Sequence, residues 1–164
     1  MSSPDLVVYE EEFEKINSEL QKLQKLANAT LVFLVDKNGQ LIAVIGETQN
    51  MDTTSLASLT AGNIAATGGI AKLLGEKEFN ILFHEGEKDN IHISLVGRRV
   101  ILVVIFDQRS SIGLVRLRVR KATESLNMIF EDIDRKAERE RTEGRVAESA
   151  FAEISDEDID KLFR

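Results

Sequence analysis

Seven consecutive apolar residues, "VILVVIF" from Val100 to Phe106, place the strongest constraint on what this chain can fold into. The run is far shorter than the about 20 apolar residues a membrane-spanning helix needs. As a strand it has no polar side to turn to water, so both faces must be covered. It is therefore predicted to be the central strand of a sheet with helices on either side. Two further apolar runs, Leu31–Val35 and Leu41–Ile45, flank Lys37-Asn38-Gly39. Asn-Gly is a strong hairpin signal because both residues tolerate positive φ, so strands are predicted over 31–36 and 41–46. "EFNILFHEG" and "NIHISLVG" precede "RVILVVIFD", with turns containing Gly86 and Gly97 between them, and make an antiparallel meander. Ile91, Ile93 and Leu95 alternate with His92, Ser94 and Val96, the pattern of a half-buried strand.

Helical periodicity fills the remaining segments. Tyr9, Phe13, Ile16, Leu20, Leu23 and Ala27 recur at spacings of four and three, which places them on one stripe of a first helix. A second helix is predicted over about Thr53–Leu74, with Asp52 or Thr53 as its N-cap. Ser111 is suited to cap a third, whose stripe is Val115, Val119, Ala122, Leu126, Ile129 and Ile133, with Arg116, Arg118, Arg120 and Lys121 in its first half. The order α-β-β-α-β-β-β-α predicts an α+β domain: one five-stranded antiparallel sheet covered by helices on both faces. That domain is placed at residues 5–133. A charged linker is expected over 134–150, followed by an amphipathic tail over 151–164. In the tail Ser155 and Asp158 form a helix-start pattern, and Phe151, Ile154, Ile159, Leu162 and Phe163 supply the apolar positions.

Composition narrows the function. A net charge of −7 over 164 residues argues against nucleic acid and against an anionic membrane surface. Without cysteine there are no disulfides, thiolate zinc sites or thiol nucleophiles. The N-terminal "MSSPDLVVYEEEFEK" lacks a basic region followed by an apolar run, so a cytoplasmic protein without membrane insertion is expected. No Gly-x4-Gly-Lys-Ser/Thr loop occurs. "GNIAATGG" lies within a helical pattern and lacks the dinucleotide spacing. His84 and His92 fall on different predicted strands, and "SDEDID" lacks the glycine and spacing of a calcium loop. No catalytic residue, metal or cofactor is expected, and the chain does not read as an enzyme.

The second helix reads as a contact element. Leu56, Leu59, Ala66, Ile70 and Leu73 are expected to face the sheet. The other side then carries Ala57, Ala61, Ala65, Gly68 and Gly69, with hardly any charge before Lys72. Each of the two adjacent glycines lowers helix stability by about 1 kcal/mol, and close approach of another backbone is the natural reason for them. A wholly buried helix of a monomer is the alternative. "FNILF", Phe79–Phe83, carries no charge and is expected at the sheet edge, where a bare apolar strand invites aggregation unless it is paired. A two-fold dimer through Ile64, Gly68, Phe79, Ile81 and Phe83 satisfies both elements and sets two helices side by side as an uncharged platform.

This element order resembles the Roadblock family, a fold related to the longins and profilin. The stretches "YEEEF", "FLVDKNGQLIA", "DTTSLASLTAGNIAATGGIAKLLGE", "FHEG", "VVIFDQRSSIGLVRLRV" and "FAEISDEDIDKLF" are similar to its bacterial members that partner a small Ras-like GTPase. The segment 134–150, rich in Arg and Glu, departs from that pattern. The resemblance implies a homodimer through the second helix and third strand. It implies a GTPase-activating protein, two subunits per GTPase, acting on the GTP-bound form in cell polarity and gliding motility, and concentrated at a cell pole. Contacts to the GTPase would include Thr54, Ala57, Ala61, Ala65, Gly69 and Lys72. Activation would come from ordering the GTPase's switch loops, with Arg98, Arg99 and Arg109 as nearby arginines rather than inserted fingers. The tail would bind the GTPase away from the platform. Three other readings stay open: a non-activating dimeric scaffold, an adaptor promoting nucleotide exchange, and a small-ligand sensor.

Overall fold

The computed structural model describes residues 6–152 and Lys161. Its elements are α1 (Glu10–Leu26), β1 (Leu31–Asp36), β2 (Leu41–Gly46), α2 (Thr53–Leu74), β3 (Ile81–Glu85), β4 (Asn90–Val96), β5 (Val100–Phe106) and α3 (Ile112–Ala152). The apolar run becomes β5, buried at every position, with antiparallel neighbours on both sides. The five strands form one sheet in the order β2-β1-β5-β4-β3, so the two ends of the order are β2 and β3. The predicted element order and central strand are both observed. The chain divides into two compact units, residues 1–130 and 131–164.

Register decides which side chains share a face. Phe33, Val103 and Ile93 stand opposite one another across β1, β5 and β4. With Leu31, Val35, Ile101 and Ile105 they form the layer into which Ala57 and Ile64 of α2 pack. Val32, Leu34, Leu102, Val104 and Phe106 are buried on the opposite face. There α1 runs along β1 and β2 while α3 lies over β4. This second layer corrects the half-buried reading of β4. His92, Ser94 and Val96 are buried like Ile93, and the early turns of α3 stand over His92 and Ser94.

Local chemistry sets the element ends. The β1–β2 connection is a hairpin, but not a two-residue turn with two positive φ values. Only Gly39 is positive, at 91°. Asp36 Oδ1 accepts from the N–H groups of Asn38 (2.9 Å) and Gln40 (3.0 Å), and Gly39 N–H donates to Asp36 O (3.0 Å). A carboxylate thus organises the turn, and the register shift between Leu34 and Val35 absorbs the extra residue. At the start of α2 the cap is Asp52, whose carboxylate accepts from Ser55 N–H at 3.0 Å and from its hydroxyl at 2.6 Å. At its end Gly75, with φ 77°, lets Glu76 N–H reach Ala71 O and its own N–H reach Lys72 O.

The orientation of α2 differs from the expected one in part: Leu56 packs on the core, and Ala65 and Gly69 face outward, as expected, but Leu59, Ile70 and Leu73 turn outward and Ala57 and Ala61 inward. Ala57, Ala61, Ile64 and Ala71 face the sheet, with Ala57 at 1% and Ala61 at 8% exposure. Small residues bring the helix axis close to the sheet, where the bulk is already supplied by Phe33, Ile101 and Val103. Thr60 is accommodated on this buried side because its hydroxyl donates to Leu56 O at 2.7 Å. In α1 the buried stripe is Ile16, Leu20, Leu23 and Ala27, continued at its start by Glu12 rather than by the more exposed Tyr9 and Phe13. In α3 Phe130 is buried and Ile129 only partly so.

The segment 134–150, expected as a linker, is helical as part of α3. Its residues are Ala, Glu, Arg and Lys for the most part, all strong helix formers. Within the second unit Arg135 pairs with Asp132, and Arg141 with Glu138 at 3.3 Å, both one turn apart.

The α2 orientation makes a direct prediction. Ala57→Leu overfills the helix–sheet contact and lowers unfolding free energy by about 1–3 kcal/mol. Ala65→Leu, on the outward side, changes it by no more than about 0.5 kcal/mol. Urea unfolding of the two variants beside the parent checks both values.

Candidate partner-binding surface

Turning the small residues inward puts large ones outward. Leu59 is 72%, Ile70 53% and Leu73 89% exposed, and Leu74 is exposed beside them. Gly62, Ala65, Ala66 and Gly69 lie between these side chains, also exposed. A Cβ added at Gly62, Gly68 or Gly69 meets nothing within 4 Å, so the glycines leave shallow gaps between bulky neighbours. An apolar surface of this kind on a globular domain marks an interaction site.

The edge strand β3 lies next to that surface. Its hydrogen bonds run to β4 alone. Ile81 and Phe83 are exposed on it, with the Phe83 ring stacked on Phe106 at 6.2 Å, while Leu82 turns into the core beneath α2. Beyond these, two polar side-chain contacts reach this edge: Asn63 Nδ2 of α2 is 3.2 Å from His84 Nε2, and Lys37 of the hairpin tip reaches Glu78 at 3.1 Å. The Asn63–His84 contact therefore links α2 to the unpaired strand edge.

The sequence-derived residues fall into separate groups. Thr54, Ala65, Gly69 and Lys72 are exposed on α2. Ala57 and Ala61, read as partner contacts, are instead buried against the sheet. Ile64, read as an interface residue, belongs to the core. Gly68 is partly buried, and Phe79 precedes β3 rather than lying in it. The side chains of Phe151, Ile154, Ile159, Leu162 and Phe163 lie outside the described residues. Leu59, Ile70, Leu73 and Leu74 replace the buried alanines as the outward surface. Large apolar residues at these four positions are visible in the sequence, but an apolar helix gives no phase to say which side is out.

Arg109 is held at the far end of the sheet. Its Nε donates to both oxygens of Asp107, at 3.0 and 3.1 Å, its Nη2 reaches Thr30 Oγ1 at 3.3 Å, and Glu47 lies 3.6 Å from Nη1. Asn28 Nδ2 donates to its carbonyl at 2.6 Å. The guanidinium holds the Asp107 carboxyl below its ordinary range. This arginine joins the ends of β1, β2 and β5. Among the described residues no cluster of three His, Asp or Glu could hold a metal ion, and no helix is long and apolar enough to cross a membrane.

Residues 15–106 match the Roadblock/LC7 domain. Among solved structures, Myxococcus xanthus MglB is 65% identical, with a TM-score of 0.74 over 78% of this chain and 96% of that one. The gliding protein MglB of Thermus thermophilus is 32% identical, with a TM-score of 0.74 over 80% and 99%. An MglB solved in a tetrameric arrangement is 31% identical, with a TM-score of 0.75 over 80% and 99%. No curated protein sequence matches significantly.

The cap of α2 gives this surface an acid sensitivity. The Ser55 hydroxyl and N–H hold the Asp52 carboxyl below its ordinary value of 3.8. A depressed carboxyl stabilises the fold fully above its unfolded pKa, and that contribution is lost as pH falls through the lower folded value. Asp52→Asn keeps an acceptor at the cap but removes the titration, so its stability falls less steeply on acidification than that of the parent. Asp52→Ala lowers stability at neutral pH as well. Thermal unfolding midpoints measured from neutral to acid pH separate the three proteins.

Proposed function

The chain belongs to the Roadblock/LC7 family, and within it to the MglB proteins, and from that membership we propose that it is a homodimeric regulator that stimulates GTP hydrolysis by a small Ras-like GTPase of the MglA type. The observation that carries this reading is the outward apolar face of α2 next to the unpaired edge of β3. A second copy adding its own β3 there extends the sheet through main-chain hydrogen bonds, which are independent of side-chain identity. Two α2 helices then lie side by side and offer Leu59, Leu73, Thr54, Ala65, Gly69 and Lys72 to one GTPase. Ile81 and Phe83 belong to the self-association edge.

The proposed chemistry belongs to the GTPase. Phosphoryl transfer is governed by positioning and by stabilisation of developing charge. An apolar surface that orders the GTPase's switch loops acts on positioning and needs no catalytic group of its own. The engagement of Arg109 with Asp107 and Glu47 supports a structural role for it rather than insertion into a partner's active site. The helical segment 134–150 serves as a spacer, advancing about 1.5 Å per residue, to carry the tail at 151–164 to a second surface of the GTPase. The working location is the cytoplasm, at a cell pole, in control of polarity and gliding.

Phosphate release by the MglA-type GTPase, in single and multiple turnover, tests this reading. The full chain is expected to raise the single-turnover rate, and a chain ending at Ser149 is expected to retain that gain. Ala65→Arg combined with Gly69→Arg weakens binding at least about tenfold, the scale of a lost interface hot spot, and abolishes stimulation while the dimer stays folded. Binding without any single-turnover gain makes the protein a scaffold. A tail-dependent gain in multiple turnover alone makes it an exchange factor.

A further inference from the structure

The face of the sheet opposite α2 holds polar side chains that the fold leaves without partners. His92 of β4 is 1% exposed, and among the described residues neither Nδ1 nor Nε2 has a hydrogen-bond partner. Ser94 Oγ, two residues along the same strand, and Thr123 Oγ1 of α3 are buried and equally without partners. A buried polar group without a partner is strongly unfavourable, and native folds rarely keep one unless it serves a purpose. Here three converge, and all line a single cavity of about 360 Å³ between β4 and α3. That volume falls within the about 300–1,000 Å³ typical of small-molecule sites.

The rest of the lining states the chemistry of the occupant. Ile81 and Val119 give it aliphatic walls, and Arg116, Arg120 and Glu124 bring two cations and one anion. Two positive charges less one negative leave the lining at +1, in a chain whose net charge is −7. We propose that this cavity binds a small organic carboxylate carrying a hydroxyl or carbonyl group on a short aliphatic body. The carboxylate sits against the guanidiniums of Arg116 and Arg120. The aliphatic part lies on Ile81 and Val119. The hydroxyl or carbonyl exchanges hydrogen bonds with His92, Ser94 and Thr123. Burial, reinforced by the positive charge of Arg116, lowers the pKa of His92. Its ring is therefore a neutral donor–acceptor pair, suited to a hydroxyl rather than to a second anion. The site lies across the sheet from α2, away from the proposed GTPase contacts, and of its lining Ile81 also belongs to the proposed self-association edge.

The test uses the full-length protein, labelled for NMR of its histidine rings, titrated with 3-hydroxybutyrate, hexanoate and inorganic phosphate. The hydroxy acid is expected to shift the His92 ring nitrogens saturably and more strongly than hexanoate. At a hundredfold excess over its Kd it raises the Tm by about 8 °C. Arg116→Gln and Arg120→Gln, both at exposed positions, are expected to keep the fold and weaken binding at least about tenfold each, while His92→Leu abolishes the Tm rise. A native mass spectrum of the purified protein that retains a small acid supports the same conclusion. Absence of a saturable shift with either carboxylate at millimolar concentration overturns the proposal, as does exchange of the His92 ring signals with bound water alone. Binding of phosphate in preference to both acids overturns the assignment to a carboxylate.

Discussion

Burial of β5 on both faces is the constraint from which the rest of the architecture follows. Each fully buried valine, leucine, isoleucine or phenylalanine is worth about 1.5–3 kcal/mol, and all seven positions of this strand are buried. Such a strand must sit between two others, so β1 and β4 flank it and the remaining two strands are pushed to the edges. It must also be covered above and below, so the three helices divide between the two faces. The placement of β3 at an edge, and of α2 alone on one face, are consequences of that arrangement rather than separate facts.

The single helix on its face carries two demands at once. Close packing onto strands already rich in bulky side chains calls for small residues, and Ala57, Ala61 and Ala71 meet that demand. The helix is nevertheless apolar around its circumference, so its larger side chains can only point away. The opposite face has two helices and fewer such pressures, and it is there that polar side chains are enclosed with His92. The two faces thus differ in kind: one is tight against the sheet and greasy outside, the other is looser and polar within.

How much of this can be read from the sequence follows from the same physics. The run at 100–106 announces its own position, because alternation is absent and no other arrangement buries it. The hairpin is visible in Asn38-Gly39, although the turn itself depends on the Asp36 carboxylate, which the dipeptide does not specify. The rotation of α2 is not legible. With leucine, alanine and glycine on all sides, periodicity offers two stripes, and hydrophobicity alone favours the bulkier one. The choice is made by the volume of the opposing strands, which only the assembled sheet provides. The burial of His92 is hidden for a related reason: alternation with Ile91 and Ile93 describes a strand with one wet face, and nothing local reports that α3 closes over the other. The helical state of 134–150 is legible in its propensities once the wealth of charge is not taken for disorder.

The outward leucines of α2 have one more consequence. The helix that covers one face of the core also exposes Leu59, Ile70, Leu73 and Leu74, so whatever covers those side chains adds its binding free energy to that of folding. In the proposed assembly, free subunits are then the least durable form of the protein and assembled ones the most durable. Supply of the proposed partner would then set how long each molecule survives proteolysis and aggregation. Abundance and occupancy become a single variable, tuned by the bulk of a few side chains on one helix.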